Sequence, residues 1–434
     1  MRFMNEIRCG FADGIITPAL NGTFLDGYGF RMTPAETVRD DLHAKVMAVG
    51  DGDDTALVFS LDLLSLREPT WKLVIRQISS LTGVPAERIA VNSIHTHSAP
   101  VSGGIAEMPV DTDYFAHVGD VCGEIALRAM ERRTEGTFAA GILPETLRHV
   151  RNRRGREPLD PSIRAAAFRD RAGNLRGVIC SASCHAVVNR RMSVSADWLS
   201  VLNRHSTDEV PLLFFQGRSG DVDPCGDGGI PHDQCEPDPL IEALGNELAS
   251  PVLRFARESG AKPGIPAAGE IRCVSEEIAV PMKPSPDAAA LRESVKEAER
   301  EYFALAPGVE KHFALRELQW RRKMLERRLR GESNELRVPM QFFALGDCLA
   351  FAFVPFEIMT LVGNEIEGIV SDAGWPRERI YVCGCSNAVN GYLASREEFP
   401  AGGYEITGAA HWYDIAESAE TSADAVTEWY RKNV

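Results

Sequence analysis

The stretch Gly83-Val84-Pro85-Ala86-Glu87-Arg88-Ile89-Ala90-Val91 is written again near the other end of the chain, as Gly374-Trp375-Pro376-Arg377-Glu378-Arg379-Ile380-Tyr381-Val382, with six of nine positions identical. Its chemistry is that of a helix stop followed by a strand. Glycine adopts the left-handed turn that closes a helix, proline just beyond it discourages a restart, and an apolar run follows. Ahead of each copy lies a strand-like apolar run and then a helix-like stretch, 56–82 in the first and 348–373 in the second. The pattern predicts two similar βαβ-type halves. In such units ligands gather beyond the carboxyl ends of the strands. Those ends carry His95 and His97 in the first half, and Glu357 and Tyr392 in or beyond the second.

Working outward, residues 43–50 and 55–62 read as a β-hairpin turning at Asp51-Gly52-Asp53-Asp54. An amphipathic helix over roughly 68–82 leads to Gly83, and a strand over 88–94 leads into His95-Thr96-His97. Between the halves, 176–184 and 211–216 are further strands, ending at Cys184-His185 and Gln216-Gly217. Segment 286–332, rich in Ala, Glu, Arg and Leu and broken at Pro307-Gly308, reads as a helical hairpin. Its charges at i,i+4 spacing suit a solvated face, a lid or a dimer contact. The expected fold is α/β, with mixed β-sheets packed against helices, in a single catalytic domain spanning 1–434 with the hairpin inserted.

Composition narrows the class of function. The chain is 434 residues long, 44% hydrophobic and 25% charged, enough for a large core. Its 62 acidic against 47 basic residues give a formal charge of −15, which argues against nucleic acid or an anionic membrane as partner. No run approaches a membrane span, and Met1 to Arg8 contains no apolar leader core, so a cytoplasmic location is expected. The ten cysteines read as buried thiols rather than a disulfide frame.

His95 and His97 stand two apart, so on an extended strand end both imidazoles share a face. Imidazole suits zinc, and the alternative is a pair of hydrogen-bonded loop histidines. His185, behind an apolar strand, is either a satisfied core residue or a third nitrogen ligand. Glu357 lies in Phe353-Val354-Pro355-Phe356-Glu357, where a buried carboxylate requires an arginine partner or a metal. The glycines of Gly217-Arg218-Ser219-Gly220-Asp221-Val222-Asp223 let the backbone approach a ligand, and the two aspartates could orient water or an amine. Cys225 to Cys235 encloses His232 and two aspartates without the spacing of a standard metal site. Cys383-Gly384-Cys385 reads as a tight strand end.

These pieces, in this order, resemble the catalytic domain of the neutral (non-lysosomal) ceramidase family. The resemblance is carried by Asn92-Ser93-Ile94-His95-Thr96-His97-Ser98-Ala99-Pro100, Asn152-Arg153, Cys184-His185, Ser195-Ala196-Asp197 and Phe215-Gln216-Gly217. It continues through Gly220-Asp221-Val222, Pro355-Phe356-Glu357, Ser386-Asn387, Gly391-Tyr392, Arg396-Glu397-Glu398 and Tyr404-Glu405, and spans about residues 8 to 413. It implies one zinc ion per chain, held by His95, His185, Glu357 and Tyr392. It also implies substrate contacts from His97, Arg153 and Tyr404, with Gly27 lining the pocket. The family's Gly-Asp-Val-Ser-Pro serine is Asp223 here, and the family's secretory N-terminus and C-terminal immunoglobulin-like domain are not expected.

The resemblance implies a hydrolase in which zinc activates water against a carbonyl polarised by His97, Tyr404 or Arg153. In place of the serine, Asp223 would act as a general base or anchor a cationic or hydroxyl-rich group. The expected activity is an amidase acting on a small polar N-acyl compound. An esterase or lactonase on the same site, and a non-catalytic small-molecule-binding relative, are the competing readings. A homo-oligomer is compatible with all three.

Overall fold

A computed structural model describes residues 6–103, 108–155, 158–261, 263–333 and 335–434; residues 1–5, where a leader was sought, lie outside it. The hairpin expected around Asp51 is the antiparallel pair His43–Val49 and Ala56–Leu61, with Val49 opposite Ala56 and a single 3-10 turn at Gly52–Asp54. Cys9–Ile15 adds antiparallel on one side, and Ile89–Ser93 adds parallel on the other. Alternate residues of this sheet enter different cores. Ala44, Val46 and Ala48 pack with the helices Glu68–Thr82 and Thr112–Glu131, whereas Met47, Val49 and Val58 face the opposite way. With both faces covered, each strand reads as a nearly unbroken apolar run.

The second half repeats the plan. Leu349–Phe353 pairs in parallel with Ile380–Cys383 across the helix Thr360–Asp372. The repeated turn repeats in geometry too. Pro85 has φ −60° and Pro376 φ −61°, and each accepts a hydrogen bond from an arginine N–H three residues on, Arg88 and Arg379, both at 2.9 Å. Local turn chemistry therefore produced the same bend twice.

Between the halves lies a five-stranded sheet in the order Leu212–Gln216, Leu175–Ala182, Ser162–Asp170, Gly136–Thr146, Ile265–Pro266. All three sheets share a core that includes Phe138, Phe168, Phe215, Phe343, Phe351 and Phe353. Each such side chain stabilises the fold by about 1.5–3 kcal/mol when fully buried. The segment read as a helical hairpin forms two helices, Ala288–Ala304 and Val309–Leu329. It sits at the tip of a long antiparallel ladder that pairs Ile271 with Leu345 and Pro281 with Glu335. The core between these helices is small: Val295, Ala298 and Leu318. Their position is held instead by Arg316 on Asp414 at 2.6 Å and by Trp320 Nε1 donating to the Ile415 carbonyl at 2.7 Å. No helix among the described residues is long and apolar enough to cross a membrane.

Candidate metal centre

The strand Ile89–Ser93 stops two residues short of His95. The sequence reading placed the His-Thr-His run on an extended strand end; the structure corrects this. His95 has φ +67°, and Thr96 makes only an isolated bridge to Ala186. The two imidazoles converge because the chain turns between them, with ring centroids 5.1 Å apart and planes at 78°. A left-handed non-glycine residue costs about 1–2 kcal/mol. Here it is held in place: the His95 N–H donates to the Leu63 carbonyl at 3.0 Å, and Nδ1 donates to the Leu64 carbonyl at 2.8 Å.

His185 follows the strand Leu175–Ala182, and its Nδ1 faces the Val222 carbonyl at 3.2 Å. A carbonyl can only accept, so both histidines can carry a proton on Nδ1, which would leave Nε2 free for an ion. Glu357 arrives on the two-residue strand Glu357–Ile358, which pairs in parallel with Tyr392–Leu393 and sets Glu357 beside Tyr392. Its Oε2 lies 3.1 Å from Nε2 of both His95 and His185. Although so close, His95 Nε2 makes no hydrogen bond. His185 Nε2, by contrast, is hydrogen-bonded to Glu357 Oε2 at 3.1 Å, so the carboxylate oxygen sits between the two rings, where a cation held by all three would draw on the same atoms. The other carboxylate oxygen, Oε1, accepts from the Tyr413 hydroxyl, and the Tyr392 hydroxyl is 3.5 Å from His185 Nε2.

Nitrogen atoms of His95, His97 and His185 all lie within 4.8 Å of one another, and among the described residues this is the one such grouping of His, Cys, Asp or Glu that could hold a metal ion. The loop from Cys225 to Cys235 provides none, and all ten cysteines are free thiols. Burial alone would raise the Glu357 carboxyl, but His95 and His185 hold it well below the usual carboxylate range. Burial opposes charge on His95, yet Cys385 and Glu357 outweigh it and raise that ring well above the usual value. A proton and a metal ion would therefore compete for the same lone pair.

His97 differs from its neighbours. Both its ring nitrogens are buried without a hydrogen-bond partner, and burial keeps the ring neutral by pulling its pKa well down. Its backbone is fixed by Arg31, which donates to the carbonyls of His97, Asn189 and Arg191. Gly27 has φ +91°, and a Cβ there would lie 2.4 Å from the His97 ring, so only glycine lets this loop pass.

Asp223 lies in the short strand Val222–Pro224, and Arg153 directly follows its partner strand Val150–Asn152. The Arg153 guanidinium bonds Glu405 at 2.7 Å, Asp223 at 3.3 Å and the Gly220 carbonyl at 2.7 Å. Burial would raise the Asp223 carboxyl, but Arg153 and His185 lower it, so it is ionised. Its Oδ1 is 3.9 Å from His185 Nδ1, on the side of that ring facing away from Glu357. Tyr404 opens a π-helical turn, is 47% exposed, and stands edge-on to Tyr392 at 5.7 Å.

A cavity of about 260 Å³ opens over the histidines, lined among others by Gly27, Tyr28, Arg67, Glu357, Tyr392 and Tyr404. Its supports come from all three sheets. Asn92 accepts from the Gln216 N–H at 2.8 Å and donates to Ser386 at 3.1 Å and to the Gly384 carbonyl, while Gln216 donates to the carbonyls of Ile94 and Cys184. Sequence reasoning missed Arg31, Arg67 and Tyr413. A lone charge between Phe30 and Met32 was a signal for the first; nothing in spacing marked the other two.

No protein-family model matches the chain, and no curated protein matches its sequence. Solved structures do. Neutral ceramidase from Pseudomonas aeruginosa superposes with a TM-score of 0.73 over 99% of this chain and 74% of that one, at 16% identity. A ceramidase complexed with C2 gives the same TM-score and identity, over 99% of this chain and 75% of that one. What this chain shares with neutral ceramidase is the fold, at a sequence distance too great to carry more than the fold.

Proposed function

We propose that this chain is a zinc-dependent hydrolase, most naturally an amidase cleaving a small polar N-acyl compound, built as one catalytic unit with residues 286–332 inserted. The observation that carries this reading is the approach of Glu357 Oε2 to 3.1 Å from Nε2 of both His95 and His185, with the imidazoles fixed through Nδ1 and the carboxylate through Tyr413. His95, His185, Glu357 and Tyr392 would hold the ion. The chemistry it supplies is Lewis acidity toward a carbonyl oxygen and activation of water near neutral pH.

The chain's own groups then divide the work. His97, neutral and unpartnered, donates a hydrogen bond to the oxygen that gains charge as the carbonyl is attacked. Tyr404, next to Tyr392 and open to solvent, orients the substrate at the mouth. Arg153 lies with its guanidinium carbon 5.3 Å from the Tyr392 ring centroid and puts positive charge beside that phenol. Asp223, ionised and bound to Arg153, acts through that arginine and through His185. Gly27 leaves His97 its space.

Metal content tests the assignment. Purified wild type should carry stoichiometric zinc, and His95→Ala and His185→Ala should each carry none. Stoichiometric zinc retained in both variants would overturn the site. A paired panel of N-acyl and O-acyl substrates then separates the amidase from an esterase or lactonase.

A further inference from the structure

Arg67 stands at the head of the helix Glu68–Thr82 and lines the cavity over the histidines. Among the described residues its guanidinium has one hydrogen bond, Nη2 to the Tyr413 carbonyl, and no ion-pair partner. Its flat face lies on the Tyr413 ring, 4.3 Å from the centroid. Other buried or half-buried arginines of this chain bond a carboxylate or several carbonyl oxygens, although Nε of Arg31 and of Arg316 stays unpaired. Arg153 has Glu405 and Asp223, Arg164 and Arg218 share Glu367, Arg316 has Asp414, and Arg31 spends its donors on carbonyls and the Ser98 hydroxyl. Arg67 itself is half-buried, and a partly desolvated guanidinium without a carboxylate gains from an anionic partner.

The nearby carboxylates are already engaged. Asp26 shares the cavity, but its oxygens accept from the Gly27 N–H at 2.9 Å and the Ser102 N–H at 3.2 Å. Asp414 is held by Arg316 at 2.6 Å and Lys323 at 3.2 Å. The remaining N–H donors of Arg67 have no acceptor among the described residues, and its side chain lines this cavity as well as a neighbouring one that Lys323 and Arg327 also line. A single phenol ring separates these donors from the metal centre, because the ring under Arg67 is the one whose hydroxyl holds Glu357. Elsewhere in the cavity lining, Gly29 brings its backbone so close to Phe313 and Trp412 that a Cβ would lie 2.5 Å from each ring. With Tyr28 and Phe30 these rings give the cavity an apolar wall.

We propose that the cavity takes an acyl compound bearing a carboxylate, in the manner of an N-acyl amino acid, with the carboxylate bound by Arg67 and the acyl part along the aromatic wall. The proposal rests on the hydrolase reading above. In the reaction the amide C–N bond breaks, the water oxygen bonds to the acyl carbon, and a water proton goes to the leaving nitrogen. The products are a carboxylic acid and an amino acid. Because the whole chain carries a formal charge of −15, attraction for an anion has to be local.

The test uses a matched pair, N-hexanoylglycine and N-hexanoylglycinamide, which differ at the carboxylate alone. Binding to the zinc-loaded protein is measured by calorimetry, and cleavage by release of the amine. The acid should bind about tenfold to a hundredfold more tightly than the amide, the scale of hydrogen bonds to a charged group. Arg67→Met should bring that ratio to near one. Arg67→Lys keeps the charge without the fork and should restore part of it, which a merely disturbed Tyr413 would not do. Equal binding of acid and amide by wild type overturns the inference, as does failure of both to bind. Preference for the acid without cleavage keeps the anchor and removes the hydrolase reading instead.

Discussion

The two βαβ halves share a turn sequence and a turn geometry, yet they serve the candidate metal centre in opposite ways. In the first half the end of the leading strand contributes backbone: the Leu64 carbonyl fixes His95 Nδ1. The end of its second strand contributes the donor, His95 itself. In the second half the leading strand is followed by the donor, Glu357, and the second strand by Cys385, whose sulfur rests 3.4 Å from His95 Nδ1. In the proposed centre one half would give nitrogen and the other oxygen. The duplicated scaffold supplies two similar platforms, while the donor atoms depend on loops that the repeat does not copy. The halves meet directly there: the Ser93 N–H donates to the Cys385 carbonyl at 3.0 Å and the Asn387 N–H to the Val91 carbonyl at 2.7 Å.

Asn92 is where the comparison is easiest to break. It is fully buried and bonds Gln216 of the middle sheet and Gly384 and Ser386 of the second half. Asn92→Ala strands those partners without replacing them, at a cost of about 2–4 kcal/mol. Denaturant unfolding should show this as a lower midpoint with an unchanged slope. An unchanged midpoint would mean that the halves are joined by their apolar cores and by the backbone hydrogen bonds at Ser93 and Asn387, without help from the Asn92 side chain.

Tyr413 sharpens the second half's contribution. Its hydroxyl donates to Glu357 while its ring carries Arg67. Tyr413→Phe keeps the ring and removes only the donor. Zinc affinity, read by competition with a chromophoric chelator, should fall about tenfold to a hundredfold, the usual range for a group that orients a ligand. An unchanged affinity would leave Glu357 positioned by its strand pairing to Tyr392 and nothing else.

The sequence showed the scaffold more readily than the centre, and the reason is the range of the interactions. The stop at Gly83 and the bend at Pro85 are decided within a few residues, so their repetition at Gly374 and Pro376 could be read directly. The run 43–62 was legible because a polar turn separates two apolar segments. The candidate site was legible as residue types: the structure brings His95, His185, Glu357 and Tyr392 together. Their geometry was not. The left-handed turn at His95 depends on carbonyls of Leu63 and Leu64, across the sheet, so strand alternation gave the wrong reason for the converging rings. Tyr413 reaches Glu357 over a separation of 56 residues, and Asn92 reaches Gly384 over 292. No local pattern encodes such contacts.

Cys385 sets the finest test of the asymmetry between the halves. Thiolate is a common zinc ligand, and this sulfur lies 3.4 Å from the His95 ring. Yet it faces Nδ1, the nitrogen whose proton goes to the Leu64 carbonyl, and not Nε2, which faces Glu357. Burial also raises its pKa and keeps it a thiol. It should therefore brace the ring as a weak acceptor that shares the Nδ1 proton with the Leu64 carbonyl. Cys385→Ala should weaken zinc binding by no more than about threefold, the low end for one hydrogen bond. Loss of stoichiometric zinc in that variant would make Cys385 a ligand. Both halves would then supply donors from the ends of their second strands, and the division into a nitrogen half and an oxygen half would no longer hold.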